Sequence, residues 1–188
     1  MHYIRPVYPN ELYHHGVKGM SWGVRNGPPY PIGSGATTVK YTKDIKAVNS
    51  IFDSMSNKEK IYLAGTAGSN KVPKQYVTAK EYGPKGTLVD THVVYNGKMP
   101  VAFCDIWGWR DGKALIAIGT RGGSAFRHKG YASKALNEAI TSFKLNPNLK
   151  ELLYYPHSGN NASVALAKKH GFKTFEENEY FTGLSLTK

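Results

Sequence analysis

Apolar positions change their period along the chain. Ile45, Val48, Ile51, Phe52 and Met55 recur at helical spacing and build one apolar face from Thr42 onward. Ser56-Asn57-Lys58-Glu59 then has the form of a capping box, and it predicts a second short helix through Ala64. Further on the period drops to two. Residues 87–95 alternate, Asn96-Gly97 is a tight-turn signal, and residues 99–109 read as the return strand. Asp111-Gly112 marks a second hairpin turn into residues 114–120, so three antiparallel strands are expected in a meander. The helical period returns over residues 131–143, with Ala132, Ala135, Leu136, Ala139, Ile140 and Phe143 on the core face. A short strand over 151–155, a helix over 162–170 and a closing hairpin over 172–187 complete the pattern, with no internal repeat.

Residues 1–38 follow neither period. They are rich in Gly, Pro, Tyr and His, and Gly27-Pro28-Pro29 and Pro31-Ile32-Gly33-Ser34-Gly35 act as breakers. The expectation is a flexible or partly extended, irregular N-terminal arm over 1–38, followed by one α+β domain over 39–188. In that domain a mixed central sheet is flanked by helices. A hydrophobic fraction of 40% supplies enough apolar surface for a core of that size.

Charge narrows the choice of partners. A net charge of +12 points to something acidic, a nucleotide cofactor, nucleic acid or an acidic protein surface, and fits a solvated lysine-rich face equally well. Cys104 is the only cysteine, which excludes an internal disulfide; it sits in an apolar strand with no base beside it and reads as a core thiol. His14-His15 lacks a third ligand, so no metal is expected. No apolar run reaches membrane-spanning length and the N-terminus lacks a secretory pattern, so the expected setting is the cytoplasm, without membrane contact.

Two segments carry candidate chemistry. Arg127-His128-Lys129-Gly130-Tyr131-Ala132 joins an apolar strand to an amphipathic helix. Such a loop fans backbone N–H groups at a helix N-terminus and can hold a phosphate or diphosphate. Gly130 permits close backbone approach, Ala132 is small, and Arg127 and Lys129 add charge. The same residues alone also fit an ordinary basic strand-to-helix loop. The second segment is Asn160-Asn161-Ala162-Ser163, leading to Gly171-Phe172; Asn160 and Ser163 alone also fit a plain N-cap pair.

Taken together, the first segment resembles the R/Q-x-x-G-x-G/A acyl-CoA signature of the GNAT N-acetyltransferase superfamily, and the second resembles its later landmark, an Asn eleven residues before Gly-Phe. The run Ala114-Leu115-Ile116-Ala117-Ile118-Gly119-Thr120 is similar to the family's central strand. The resemblance covers roughly residues 88–188. It implies a GNAT-like acyl-CoA N-acyltransferase fold and transfer of an acetyl group from acetyl-CoA to an amine acceptor on a protein, an aminoacyl-tRNA or a small molecule. It further implies that the backbone at Ile118, Gly119 and Thr120 pairs with the pantetheine arm. Arg127, His128, Lys129, Gly130, Tyr131 and Ala132 would hold the diphosphate, and Asn160 and Ser163 would reach the pantetheine or acyl end.

The chain departs from the family pattern in two ways. The stretch from Thr120 to Arg127 is one residue longer than usual and contains Gly122-Gly123. Where many members carry a tyrosine acid, seven residues after the motif Asn, this chain has Ala167. No carboxylate lies on the 114–120 strand, so Asp105 and His157 are the candidate catalytic groups for moving the amine proton, with Tyr154, Tyr155 and Ser158 as alternative donors. For Asp105 a plain strand-edge or salt-bridged carboxylate is the competing reading, and for His157 a surface role.

The arm contains His14-His15-Gly16-Val17-Lys18-Gly19-Met20-Ser21-Trp22-Gly23-Val24-Arg25, which resembles the HHGVKGMxWGVR tag of proteins encoded by phages and mobile elements of Gram-positive bacteria. Met20 and Trp22 flanked by Lys18 and Arg25 suit docking to a virion or host partner. The competing function is therefore a non-catalytic GNAT-like interaction protein attached through this tag. A nucleic-acid base modifier on the same fold is a minor third.

Overall fold

The computed structural model describes residues 37–41, 45–64, 72, 87–108 and 111–188. The tag and the rest of the arm up to residue 36 lie outside the described residues, as does Trp109. The elements run β1 (Thr37–Tyr41), α1 (Ile45–Asp53), α2 (Asn57–Ala64), β2 (Thr87–Asn96), β3 (Met99–Gly108), β4 (Lys113–Thr120), a 3₁₀ turn (Ser124–Phe126), α3 (Tyr131–Leu145), β5 (Glu151–Tyr154), α4 (Asn161–Lys169), β6 (Lys173–Glu177) and β7 (Thr182–Thr187). They form one seven-stranded mixed sheet in the order β1-β2-β3-β4-β5-β7-β6.

Local chemistry explains most of these boundaries. The expected capping box is present in full: Glu59 Oε2 accepts from the Ser56 N–H at 2.8 Å and from its hydroxyl at 2.7 Å, while Ser56 Oγ accepts from the Glu59 N–H at 3.3 Å. At the β3–β4 turn Asp111 and Gly112 both take positive φ, 60° and 75°, as a tight hairpin needs. Three strands are expected ahead of the loop and four are found. The extra one, β1, pairs antiparallel with β2 from Thr37↔Asn96 to Tyr41↔His92. Its Thr-Thr-Val-Lys-Tyr sequence is β-prone but short, so only the neighbouring strand gives it a place.

Two apolar layers enclose the sheet. On one face Val94, Cys104, Ile106, Ala114 and Ile116 pack with Tyr131, Leu136 and Phe143 of α3 and with Ala167 of α4. On the other, Val93 and Phe103 pack with Val48, Ile51, Phe52 and Met55 from α1 and the turn after it. Residues 101–107 of β3 are buried throughout, because that strand is covered on both faces. Full burial of side chains such as Phe103 and Phe143 contributes about 1.5–3 kcal/mol each.

Candidate functional site

The sheet opens between β4 and β5. They pair in parallel only from Lys113↔Glu151 to Leu115↔Leu153, whereas β4 stays paired to β3 as far as Thr120↔Ala102. Beyond Leu115, one edge of β4 has no strand partner among the described residues. Arg121 donates its N–H to Val101 O at 2.8 Å, toward β3. Strand alternation then turns the N–H and C=O of Ile118 and Thr120 toward the open edge, and those of Gly119 toward β3. Gly119 serves packing instead: a Cβ there would lie 2.3 Å from Phe103 Cε1.

Past Thr120 the chain is pinned to the α1–α2 turn. Arg121 donates from Nε to Pro100 O at 3.1 Å and from Nη2 to Ser50 Oγ at 3.0 Å, and the Gly122 N–H reaches Ser54 Oγ at 3.0 Å. A Cβ on Gly122 would lie 2.1 Å from Ser54 O, so the glycine at 122 is what lets this loop lie flat on the turn. Next, His128 and Gly130, on either side of Lys129, take left-handed conformations, φ 57° and 76°. For His128 that conformation costs on the order of 1 kcal/mol. Alternation of this kind turns successive N–H groups into one concavity. Gly130 is the N-cap of α3 and provides no side-chain cap, so the first-turn N–H groups extend that concavity.

The side chains of this loop divide. His128 and Lys129 are exposed. Arg127 donates from Nη2 to Glu59 Oε1 at 2.8 Å. Burial pushes the Glu59 carboxyl up, but the bonds from Ser56 and the guanidinium of Arg127 outweigh it and hold the group below its usual range. Tyr131 is 3% exposed and belongs to the core, leaving only its backbone to face the loop.

Across the gap, Asn160 caps α4: its Oδ1 accepts from the Ser163 N–H at 3.3 Å. The Ser163 hydroxyl bonds the phenol of Tyr154 at the end of β5, and burial pushes that phenol up to about 12. Tyr154 therefore stays protonated at neutral pH, its oxygen accepting from Ser163 and its O–H able to donate. Ala167 is wholly buried in the α3-side core.

His157 bridges Phe181 just beyond β5, and its ring stacks on Tyr62 of α2 with centroids 4.6 Å apart. Its Nδ1 accepts from the Gly159 N–H at 3.2 Å, which puts the proton of the neutral ring on Nε2. Asp105 is 2% exposed on β3, opposite Thr91 and Ala117, on the α1 side of the sheet two residues from Phe103. Cys104 is a core residue, its thiol pushed well up by burial and by Asp105 and Asp90. Among the described residues no cluster of His, Cys, Asp or Glu could hold a metal ion.

Sequence reasoning singles out neither Tyr62 nor the ion pair of Glu59. The capping box, which puts Glu59 in the first turn and Tyr62 three residues on, is the signal that could have found them.

A family model described as acetyltransferase (GNAT) domain matches residues 55–173, and one for a family of unknown function (DUF7211) matches residues 6–29. No curated protein matches the chain. Solved structures do. The GNAT domain of S. lividans PAT superposes with a TM-score of 0.59 at 15% identity, over 84% of this chain and 99% of its own. An N-acetyltransferase from Staphylococcus aureus Mu50 gives 0.57 at 18%, over 81% and 98%. The yncA protein of Salmonella typhimurium, solved with its cofactor acetyl-CoA, gives 0.57 at 15%, over 81% and 94%. The α+β fold expected from the sequence is thus the fold these proteins share.

Proposed function

We propose that this chain, which belongs to the acetyltransferase (GNAT) domain family, transfers an acetyl group from acetyl-CoA to an amine acceptor. The observation that carries the proposal is the open edge of β4 leading into the uncapped, left-handed loop at α3. An extended, hydrogen-bonding arm ending in a diphosphate fits this pair of features. Ile118 and Thr120 offer backbone groups to the arm as an added strand would, and the N–H groups of residues 128–132 receive the diphosphate. Gly130 is needed there because a side chain at its φ of 76° is strained.

When bound, the thioester supplies an activated carbonyl: the amine nitrogen forms the new C–N bond, the C–S bond breaks and the sulfur leaves as thiolate. The chain must then move two protons. Tyr154 and the Nε2–H of His157 are donors at the end of β5, both suited to polarising the carbonyl. Of the two, the Nε2–H of His157 is the one suited to protonating the thiolate, because burial raises the Tyr154 phenol to about 12. Nδ1 of His157 is occupied by Gly159, so His157 in this tautomer is a donor, and Asp105 is left as the carboxylate for the amine proton. Asn160 and Ser163 serve the site by holding α4 and Tyr154 in place.

Thermal unfolding with acetyl-CoA tests this reading. At a hundred times its dissociation constant the cofactor should stabilise the fold by about 2.7 kcal/mol, and Gly130→Glu should abolish the effect. A folded wild type that gains nothing at millimolar acetyl-CoA would overturn the proposal.

That result would favour a second reading, a non-catalytic GNAT-like interaction protein. The buried Ala167 in place of a tyrosine acid supports it, as does the match of residues 6–29 to a family of unknown function distinct from the acetyltransferase match. On either reading the net charge of +12 favours an acidic surface or nucleic acid in the acceptor complex, and a cytoplasmic setting in the host of a phage or mobile element follows from the tag resemblance.

A further inference from the structure

Helix α2 is fastened at three points. At its start, Glu59 binds Arg127 of the diphosphate loop at 2.8 Å. The turn before it meets Gly122 through Ser54 at 3.0 Å. One turn further along, Tyr62 stacks on His157 beyond β5. The helix thus spans from the β4 side of the gap to the β5 side.

The Glu59 carboxylate has two oxygens with different duties. Oε2 is committed to the cap of its own helix by both Ser56 bonds, which fixes the direction of Oε1. Oε1 holds Arg127, whose side chain is 57% exposed. Exposed pairs of this kind are weak. A diphosphate in the adjacent concavity brings more negative charge to the same guanidinium, through charge-assisted hydrogen bonds.

We propose that Glu59 is a positioning residue of the cofactor loop: it competes with the diphosphate for Arg127, so that cofactor binding unlatches α2 and frees the Tyr62–His157 contact on the β5 side of the gap. The inference rests on the cofactor reading above. By linkage the coupling is reciprocal, so whatever loosens α2 must also tighten cofactor binding by the same factor.

The test is calorimetric titration of acetyl-CoA into wild type, Glu59→Gln, Arg127→Gln and the double variant, with amide hydrogen exchange of residues 57–64. Glutamine keeps the capping box but not the charge. Glu59→Gln should bind roughly two- to fivefold tighter, the span expected of an exposed pair, and Arg127→Gln should bind more weakly. In the Arg127→Gln background the Glu59 substitution should change nothing. Exchange in α2 should rise when acetyl-CoA binds the wild type and stay unchanged in Glu59→Gln. Normal binding by the wild type with equal or weaker binding by Glu59→Gln would overturn the inference alone, as would slower exchange in α2 on binding. A folded wild type that binds no acetyl-CoA would overturn the function proposal and this inference with it.

Discussion

Helices α3 and α4 both begin beside the gap, and they begin in opposite ways. The N-terminus of α4 is closed by its own sequence, Asn160 capping the Ser163 N–H at 3.3 Å. That of α3 starts at Gly130 with no side-chain cap, behind a left-handed His128. A cap contributes about 1 kcal/mol, so α4 uses its terminal N–H groups for stability. Helix α3 forgoes that contribution and carries strain as well, which leaves its N–H groups to something outside the chain. On the proposed function, equivalent positions in two helices divide between holding the fold and meeting a ligand.

The contrast can be broken most severely at Gly130. Gly130→Glu should remove the acetyl-CoA stabilisation of about 2.7 kcal/mol and cost the fold a further 1–2 kcal/mol or so from strain at its left-handed φ; paired melts with and without acetyl-CoA separate the two effects. Next is Ala167→Tyr, which introduces the tyrosine that the sequence resemblance leads one to expect at this position. Because Ala167 is fully enclosed, the ring should overpack the core and destabilise by about 1–3 kcal/mol without raising turnover; denaturant midpoints and an acetyl-CoA assay check this. A gain in rate would mean that the side chain finds the gap.

Asn160→Ala should cost about 1 kcal/mol of stability and leave the acetyl-CoA dissociation constant within about twofold. A tenfold or greater loss of affinity would give Asn160 the cofactor role and remove half of the contrast. The smallest effect is the pH dependence of the link between the two helices. His170, after α4, bonds Ser133 in the first turn of α3 at 2.7 Å. Burial first, and Lys169 second, hold the imidazole below its ordinary value of 6.5. The folded state therefore takes up this proton less readily than the unfolded one. The stability it contributes is complete above about 6.5 and declines as pH falls from there through the lowered value. The melting temperature should drop over that interval, and His170→Gln should flatten the slope.

Much of the fold is legible in the sequence because its signals are local. Asp111-Gly112, the Ser56–Glu59 box and the apolar faces of α1 and α3 act over four to a dozen residues, and each element forms where they put it. The glycine loop ahead of α3 is legible for the same reason. The reading is less complete for individual side chains. Tyr131 turns into the core, Gly119 accommodates Phe103, and Arg127 is held by a residue 68 positions away. Alternation and helical period give the face a residue occupies, but not what stands opposite it.

By itself the sequence determined the order and kind of every element but β1 and the 3₁₀ turn, together with the glycine turns, the basic loop ahead of α3 and the cap of α4, since each depends on neighbours within a few bonds or one helical turn. Tertiary structure decided the rest: β1 beside β2, the reversal that puts β7 next to β5, the parting of β4 from β5 after Leu115, and α2 fastened to both sides of the opening. These are pairings between distant segments. Their free energy comes from backbone edges and apolar faces that match only once the whole sheet is assembled, and no short stretch of residues encodes that match.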